Sequence, residues 1–462
     1  MGRNRRWIRY AGWTLIAVGL VSLAVWGFLL GRTALSLRRH VAQVEALAGD
    51  PTSVDPREAC ALVGELRDDV VALQRYGGGL VELAPLFSWL PHIGGEMTAA
   101  PHLLDAADGL TEAGVALCQV VEPALDTVLG GGGSPAGSPV AGALALLTDH
   151  RAAFEEALAA TERARAAWSQ VELEALSPAV AGKLAPIERG LPLLEQGLRA
   201  ALAAPHLLGA GEARTYLILA LNEDELRPGG GFITGVGEVR VERGQLAEMS
   251  FLDVYAVDDL SQPYPDAPEP LSRYMGLDLW AFRDSNWSPD FPTTARQALA
   301  LYRPGHPVSA DGVVAIDQRA VQELVDVLGP LSLEGADEPV TGRTIIPYMR
   351  DSWAPEGGEF SREWFRQRKS FMGEVAQAAW VQVRRGEVDW IALAQTVRSL
   401  LERKHILVYL EHPGAAGVLA EQGWDGALRP GPGDFLMVVD ANVGYNKASA
   451  RVRQSITYEV DL

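Results

Sequence analysis

The chain has few of the residues on which most enzyme chemistry rests. Two cysteines in 462 residues exclude a disulfide-dense scaffold and a four-cysteine zinc module. The eight histidines are scattered; the closest pair, His405 and His412, stands seven apart across an expected strand end. A histidine-based metal or triad site is therefore not expected. There is no GxxxxGK[ST] loop, GxGxxG turn, GxSxG elbow, HExxH helix or CxxC pair, which removes P-loop, dinucleotide-binding, α/β-hydrolase and zincin chemistry. Positive charge is also short: 40 Lys and Arg face 59 Asp and Glu, for a net charge of −19, and such a chain repels nucleic acid. A hydrophobic content of 48% excludes wholesale disorder.

The charge is unevenly placed. Residues 1–32 hold Arg3, Arg5, Arg6, Arg9 and Arg32 and no acid, leaving −24 for the remainder. Tyr10–Gly31 is a run of 22 uncharged residues rich in Leu, Val, Ala and Trp. As a helix it would be roughly 33 Å long, enough to cross a bilayer core, with Trp7, Tyr10 and Trp13 near one interface. A cleaved signal peptide would have an apolar core of about 7–15 residues and a small-x-small cleavage site. Neither fits, so residues 1–32 read as a cytoplasmic tail and an uncleaved anchor, with residues 10–31 in contact with the lipid bilayer. The excess of arginine before the span places the bulk of the chain outside the cytoplasm, as a single-pass protein of the cell membrane.

Residues 33–209 lack strand alternation and read as a helical extracytoplasmic stalk. Val63, Leu66, Val70 and Leu73 recur at helical spacing, and Arg151–Trp168 is built of strong helix formers. Gly130–Pro139 reads as a flexible linker, and Leu90-Pro91 with Gly94-Gly95 marks another break. Cys60 and Cys118 fall on two of these helices; a disulfide and two buried thiols are both open.

Residues 210–462 change character. Tyr216–Leu221 reads as a buried strand and Asn222–Gly231 as the polar turn after it. Phe232–Val241 and Leu246–Val254 read as a hairpin. Val313–Ile316, Ile406–Leu410 and Phe435–Val439 read as strands; Gln318–Leu328, Ser361–Arg385 and Val388–Glu402 read as helices, and Pro292 opens another. Strands alternating with helices predict an α/β sandwich. The end, SITYEVDL, is strand-like without a partner, as expected of a domain truncated at its C-terminus.

Three clusters could carry chemistry. In Asn222–Gly231, Asp224 could hold a divalent cation and Arg227 a phosphate, or the stretch is an ordinary polar turn. Arg350, Arg362, Arg366, Arg368 and Lys369 suit a polyanion, or form a solvated helix face. Asp253, Asp258, Asp259, Asp284, Asn286 and Asp290 could bind magnesium or serve as a base, although capping explains Asp290 equally well. Asn286-Trp287-Ser288 also matches the glycosylation sequon.

The blocks NEDELRPGGGF at 222–232, RDSNWSPDFP at 283–292, DGVVAIDQRAVQELVDVLGP at 311–330 and VVDANVGYNK at 438–447 come in this order behind an anchor and a helical segment. Together they resemble a bacterial membrane-anchored family of unknown function, domain-of-unknown-function family 4012, over nearly the whole chain. That family lends no established activity. More distantly, the distal domain resembles the LytR–CpsA–Psr phosphotransferases, which move glycopolymers from polyprenyl pyrophosphate carriers to peptidoglycan and share the tail, the span and an outer α/β domain. This second resemblance implies that Asp224 and Asp253 hold Mg2+ or take a proton from the acceptor. It implies that Arg227, Arg350, Arg366 and Arg368 bind the pyrophosphate. Leu252 stands where that family has an arginine, and Pro228 and Gly229 where an aspartate follows its first arginine. The arginines match further than the carboxylates. The expected function is thus a cell-envelope protein that binds a polyanionic, glycan or lipid-linked ligand, or a partner, without established catalysis. The alternative is a phosphotransferase acting on a polyprenyl-linked glycan.

Overall fold

The computed structural model describes residues 3–48, 55–129, 139–306, 308–334, 336–352, 370–385 and 388–459, and the chain divides into two units, residues 1–204 and 205–462. The first unit is helical: α1 Arg3–Ala48, α2 Pro56–Leu83, α3 Gly94–Leu129, α4 Pro139–Asp149, α5 Arg151–Trp168 and α6 Pro178–Leu207. Pro56 opens α2 where its missing N–H costs nothing, and the Asp55 carboxylate accepts from Arg57 N at 2.8 Å. α5 keeps the bounds read from the sequence. Small residues let α3 and α5 approach closely. Ala113, Ala116, Ala157 and Ala160 are at most 1% exposed, and a Cβ on Gly109 would meet the Ala160 carbonyl at 2.6 Å. Cys60 on α2 and Cys118 on α3 form a disulfide with a Cα–Cα distance of 5.5 Å, settling the choice left open above. The expected linker lies, apart from Pro139, outside the described residues. The expected span falls within α1, but the side chains of residues 10–23 are outside the described set. Among the described residues no helix is long and apolar enough to cross a membrane.

The second unit is mixed α/β. Its strands are β1 Arg214–Arg227, β2 Gly230–Glu242, β3 Gln245–Asp253, β4 Gly312–Ile316 and β5 Ile406–Leu410. They lie in the order β3-β2-β1-β4-β5. β1 and β4 are parallel and all other neighbours antiparallel. The helices are α7 Val254–Val257, α8 Glu269–Met275, α9 Phe291–Tyr302, α10 Gln318–Leu328, α11 Gly342–Ser352, α12 Ser370–Arg385, α13 Trp390–Glu402 and α14 Pro413–Glu421. Strand alternation splits the sheet into two faces. Leu217, Leu219, Leu221, Val313 and Ala315 pack with Phe291, Ala295, Ala298 and Tyr302 of α9. Val314 and Ile316 pack with Ala320, Leu400 and Leu401 of α10 and α13. Each fully buried large side chain contributes about 1.5–3 kcal/mol.

Two expectations are corrected. Asn222–Gly231 is not a loop: β1 runs on to Arg227 and β2 begins at Gly230, so the turn shrinks to Pro228-Gly229. Gly231 allows this, because a Cβ there would sit 2.4 Å from the Asn222 carbonyl carbon. Phe435–Val439 is not a strand: among the described residues no strand pairs with it, and Phe435, Leu436 and Val438 remain exposed. The β2–β3 hairpin is as read. Its tip, Arg243 and Gly244, has φ of 51° and 72°, the type I′ pattern that matches strand twist.

Candidate functional site

The end of β1 contains an irregularity of consequence. Asn222 pairs with Phe232 and Leu226 with Gly231, so Glu223, Asp224 and Glu225 have no opposite numbers on β2. A bulge bends the strand and re-aims side chains, and here three consecutive carboxylates take three different directions.

Glu225 turns back to Arg227, with a contact of 3.0 Å. Arg227 is sealed: its side chain is 1% exposed. Nε donates to Asp284 Oδ1 at 3.0 Å, Nη1 to the Leu226 and Asn442 carbonyls at 3.2 and 2.7 Å, and Nη2 to Glu225. The guanidinium also lies 5.0 Å from the centroid of the Phe232 ring. All three nitrogens are engaged, so this arginine holds β1 to the 284 turn and the 442 turn rather than offering itself to a phosphate. Burial pushes the Glu225 carboxyl above its usual range, and Arg227 opposes that only in part.

Asp224 points to Arg350 in the last turn of α11. Nη2 donates to Oδ1 at 2.8 Å and Nε to Oδ2 at 3.2 Å, a bidentate pair. The Asp224 side chain is 9% exposed and that of Arg350 is 50% exposed, so Arg350 keeps an open face. Asn222 fixes the approach: its Oδ1 accepts from Asp224 N and from Gln318 Nε2, both at 3.0 Å. A cavity of about 240 Å³ lies between the sheet and α10–α12, with Met349, the residue before Arg350, in its lining. Ile218, Ala220, Val321, Met349 and Ala376 supply much of its apolar lining, with Asp317 and Gln318 at its polar part.

Of the remaining sequence candidates, Asp258 and Asp284 meet at Arg283, and the others cap helices or close local turns. Asp253 caps α7, accepting from Tyr255 N at 2.9 Å. Asp258 pairs with Arg283 at 2.7 Å, Asp259 closes its own turn on Ser261, Asp284 holds Arg227, and Asp290 caps α9. Each of these carboxylates thus has a protein partner. Asp224 and Asp253 share no metal-holding group of three or more donors among the described residues. Asn286 is 1% exposed and donates to the Gly231 carbonyl at 2.7 Å, so the sequon is closed to a glycan. Arg362, Arg366, Arg368 and Lys369 lie outside the described residues.

Sequence reasoning missed two features. The 438–447 block belongs to the end of β1: Asn442 N donates to the Leu226 carbonyl at 2.9 Å. And Glu223, Asp317 and His405 meet, with His405 Nδ1 2.6 Å from Asp317 Oδ2. Burial and the neighbouring Asp317 push the Glu223 carboxyl up.

Among solved structures, the chain is similar to Lin1025 from Listeria innocua (12% identity, 46% of this chain and 79% of that one, TM-score 0.27). It is similar also to gbs0355 from Streptococcus agalactiae (12%, 48% and 76%, 0.30) and to TagV from B. subtilis (11%, 46% and 80%, 0.27). At such TM-scores no chemistry of this chain follows from them. No curated protein matches the chain. Residues 211–353, which hold everything from β1 through α11, match the family model described as “Protein of unknown function (DUF4012)”.

Proposed function

We propose that this chain is a membrane-anchored protein of the cell envelope that binds a lipid-linked anionic ligand, of the polyprenyl-linked glycan kind, without turning it over. The observation that carries it is the apolar cavity between the sheet and α10–α12, with Met349 in its wall and the half-exposed Arg350 next in the chain. The cavity is large enough for the first isoprene units of a tail, and a phosphate suits the open face of the guanidinium. Anchoring at residues 10–31 is supported by the uncharged run and by the exposed Val25 and Phe28 on α1. Binding is favoured over transfer because Asp224 is held bidentately by Arg350, Asp253 is a helix cap and Arg227 is saturated. No described contact calls for Mg2+ at Asp224 and Asp253. Either carboxylate could assist a phosphotransferase only after releasing its present partner.

The full chain in detergent, titrated with a polyprenyl phosphate and followed by native mass spectrometry, tests this. Ala376→Trp, which fills the cavity and leaves Arg350 in place, is expected to weaken binding at least tenfold, and Arg350→Gln to do the same. Equal binding by the wild type and both variants would overturn the assignment.

A further inference from the structure

We propose that Glu223, Asp317 and His405 form a binding site for one divalent first-row transition ion, with Zn2+ as the reference. The three residues are far apart in sequence. They meet because the carboxyl ends of the parallel strands β1 and β4 and the start of the antiparallel β5 share one edge of the sheet. That edge is where α/β folds place ligands. One donor atom from each residue lies within 4.8 Å of the others.

The donor set is the first argument. One imidazole nitrogen with two carboxylate oxygens suits zinc, manganese or iron, whereas Mg2+ and Ca2+ prefer oxygen alone. Charge is the second. Two carboxylates crowd one imidazole, and Glu223 has no Lys or Arg ion pair among the described residues, unlike its bulge neighbours Asp224 and Glu225. A divalent ion would balance that charge.

Orientation is the third argument. The Asp317 side chain is 12% exposed and caps α10: Oδ1 accepts from Ala320 N at 2.8 Å, which leaves Oδ2 aimed at His405. The backbone repeats the link, as Asp317 N donates to the His405 carbonyl at 3.3 Å. Ligands held this way by outer hydrogen bonds lose little entropy on metal binding. In tetrahedral zinc a nitrogen and an oxygen ligand stand roughly 3.4 Å apart, so the Nδ1–Oδ2 contact need open by under about 1 Å while the ion replaces the shared proton. Three protein ligands leave a fourth position open to water. Asp317 also lines the apolar cavity. The site stands without the lipid proposal, and its test uses no lipid.

The full chain in detergent, stripped with a chelator and dialysed against Zn2+ or Mn2+, is assayed for bound metal by atomic emission. The wild type is expected to hold about one tight Zn2+ per chain, and Glu223→Gln, Asp317→Asn and His405→Gln each to weaken it at least tenfold. Asparagine caps a helix as well as aspartate, so Asp317→Asn removes the ligand and keeps the cap. X-ray absorption of the zinc-loaded wild type needs no variant, and it should report a shell of one imidazole nitrogen with oxygens. Three results would overturn the proposal: no tight zinc in the wild type, undiminished zinc in all three variants, or a sulfur or multiple-histidine shell.

Discussion

At the residue scale, Arg227 shows how a candidate ligand residue becomes structural. Its side chain ties β1 to Asp284 and to the Asn442 carbonyl. Removing one partner of a buried ion pair strands the other and costs about 3–5 kcal/mol. Arg227→Met should therefore lower unfolding free energy by about that amount in urea titration, because Asp284, 3% exposed, loses its main cation. A residue that merely gripped a ligand would leave the free protein's stability unchanged. Gly231→Ala should be damaging for a different reason, since its Cβ would collide with the Asn222 backbone; lost secondary structure by circular dichroism would show it.

At the scale of elements, Glu195 on α6 lies between Arg165 of α5 and Arg199 of its own helix, at 2.6 and 2.9 Å. Burial pushes this carboxyl up, but the two arginines outweigh it and hold it below its ordinary 4.5. A depressed carboxyl adds stability that is full above the unfolded value and lost as pH falls through the folded one. The first unit should therefore weaken as pH drops below about 4.5, and Glu195→Gln should flatten that part of a melting-temperature profile.

Elements whose signal is local were legible in the sequence. α5, β5 and α10 with its stop at Gly329 carry their own caps, periodicity or breakers. The end of β1 was not legible, because the polar residues 222–227 read as a turn until Gly230 and Gly231 let β2 come close. Phe435–Val439 failed for the opposite reason: it has strand composition, but a strand exists only with a neighbour. Of the candidate site, the sequence points to Asp224 and Arg350 as separate ligand residues, and their pairing with each other is what the structure adds. Glu223, Asp317 and His405 were out of reach, since strand order alone joins positions nearly a hundred residues apart.

At the scale of the whole molecule, the proposed anchor rests on four arginines ahead of an uncharged run of 22 residues. Two charges at the centre of a span cost about 2.5–3.5 kcal/mol each. Val18→Asp with Leu20→Asp should thus move the chain from the membrane fraction to the soluble one after cell lysis, while Val44→Asp, beyond the proposed span, should not.

The bridge between Cys60 and Cys118 turns α2, the connection and α3 into a covalent ring. Closing about 58 residues restricts the unfolded chain by roughly 4 kcal/mol, but the ring has a topological result as well. Its connection carries Phe87 and Trp89, 48% and 73% exposed, and both are chymotrypsin targets. One cut there severs the backbone without releasing either half. On a gel the nicked protein should run as a single species without reductant and as two fragments with it.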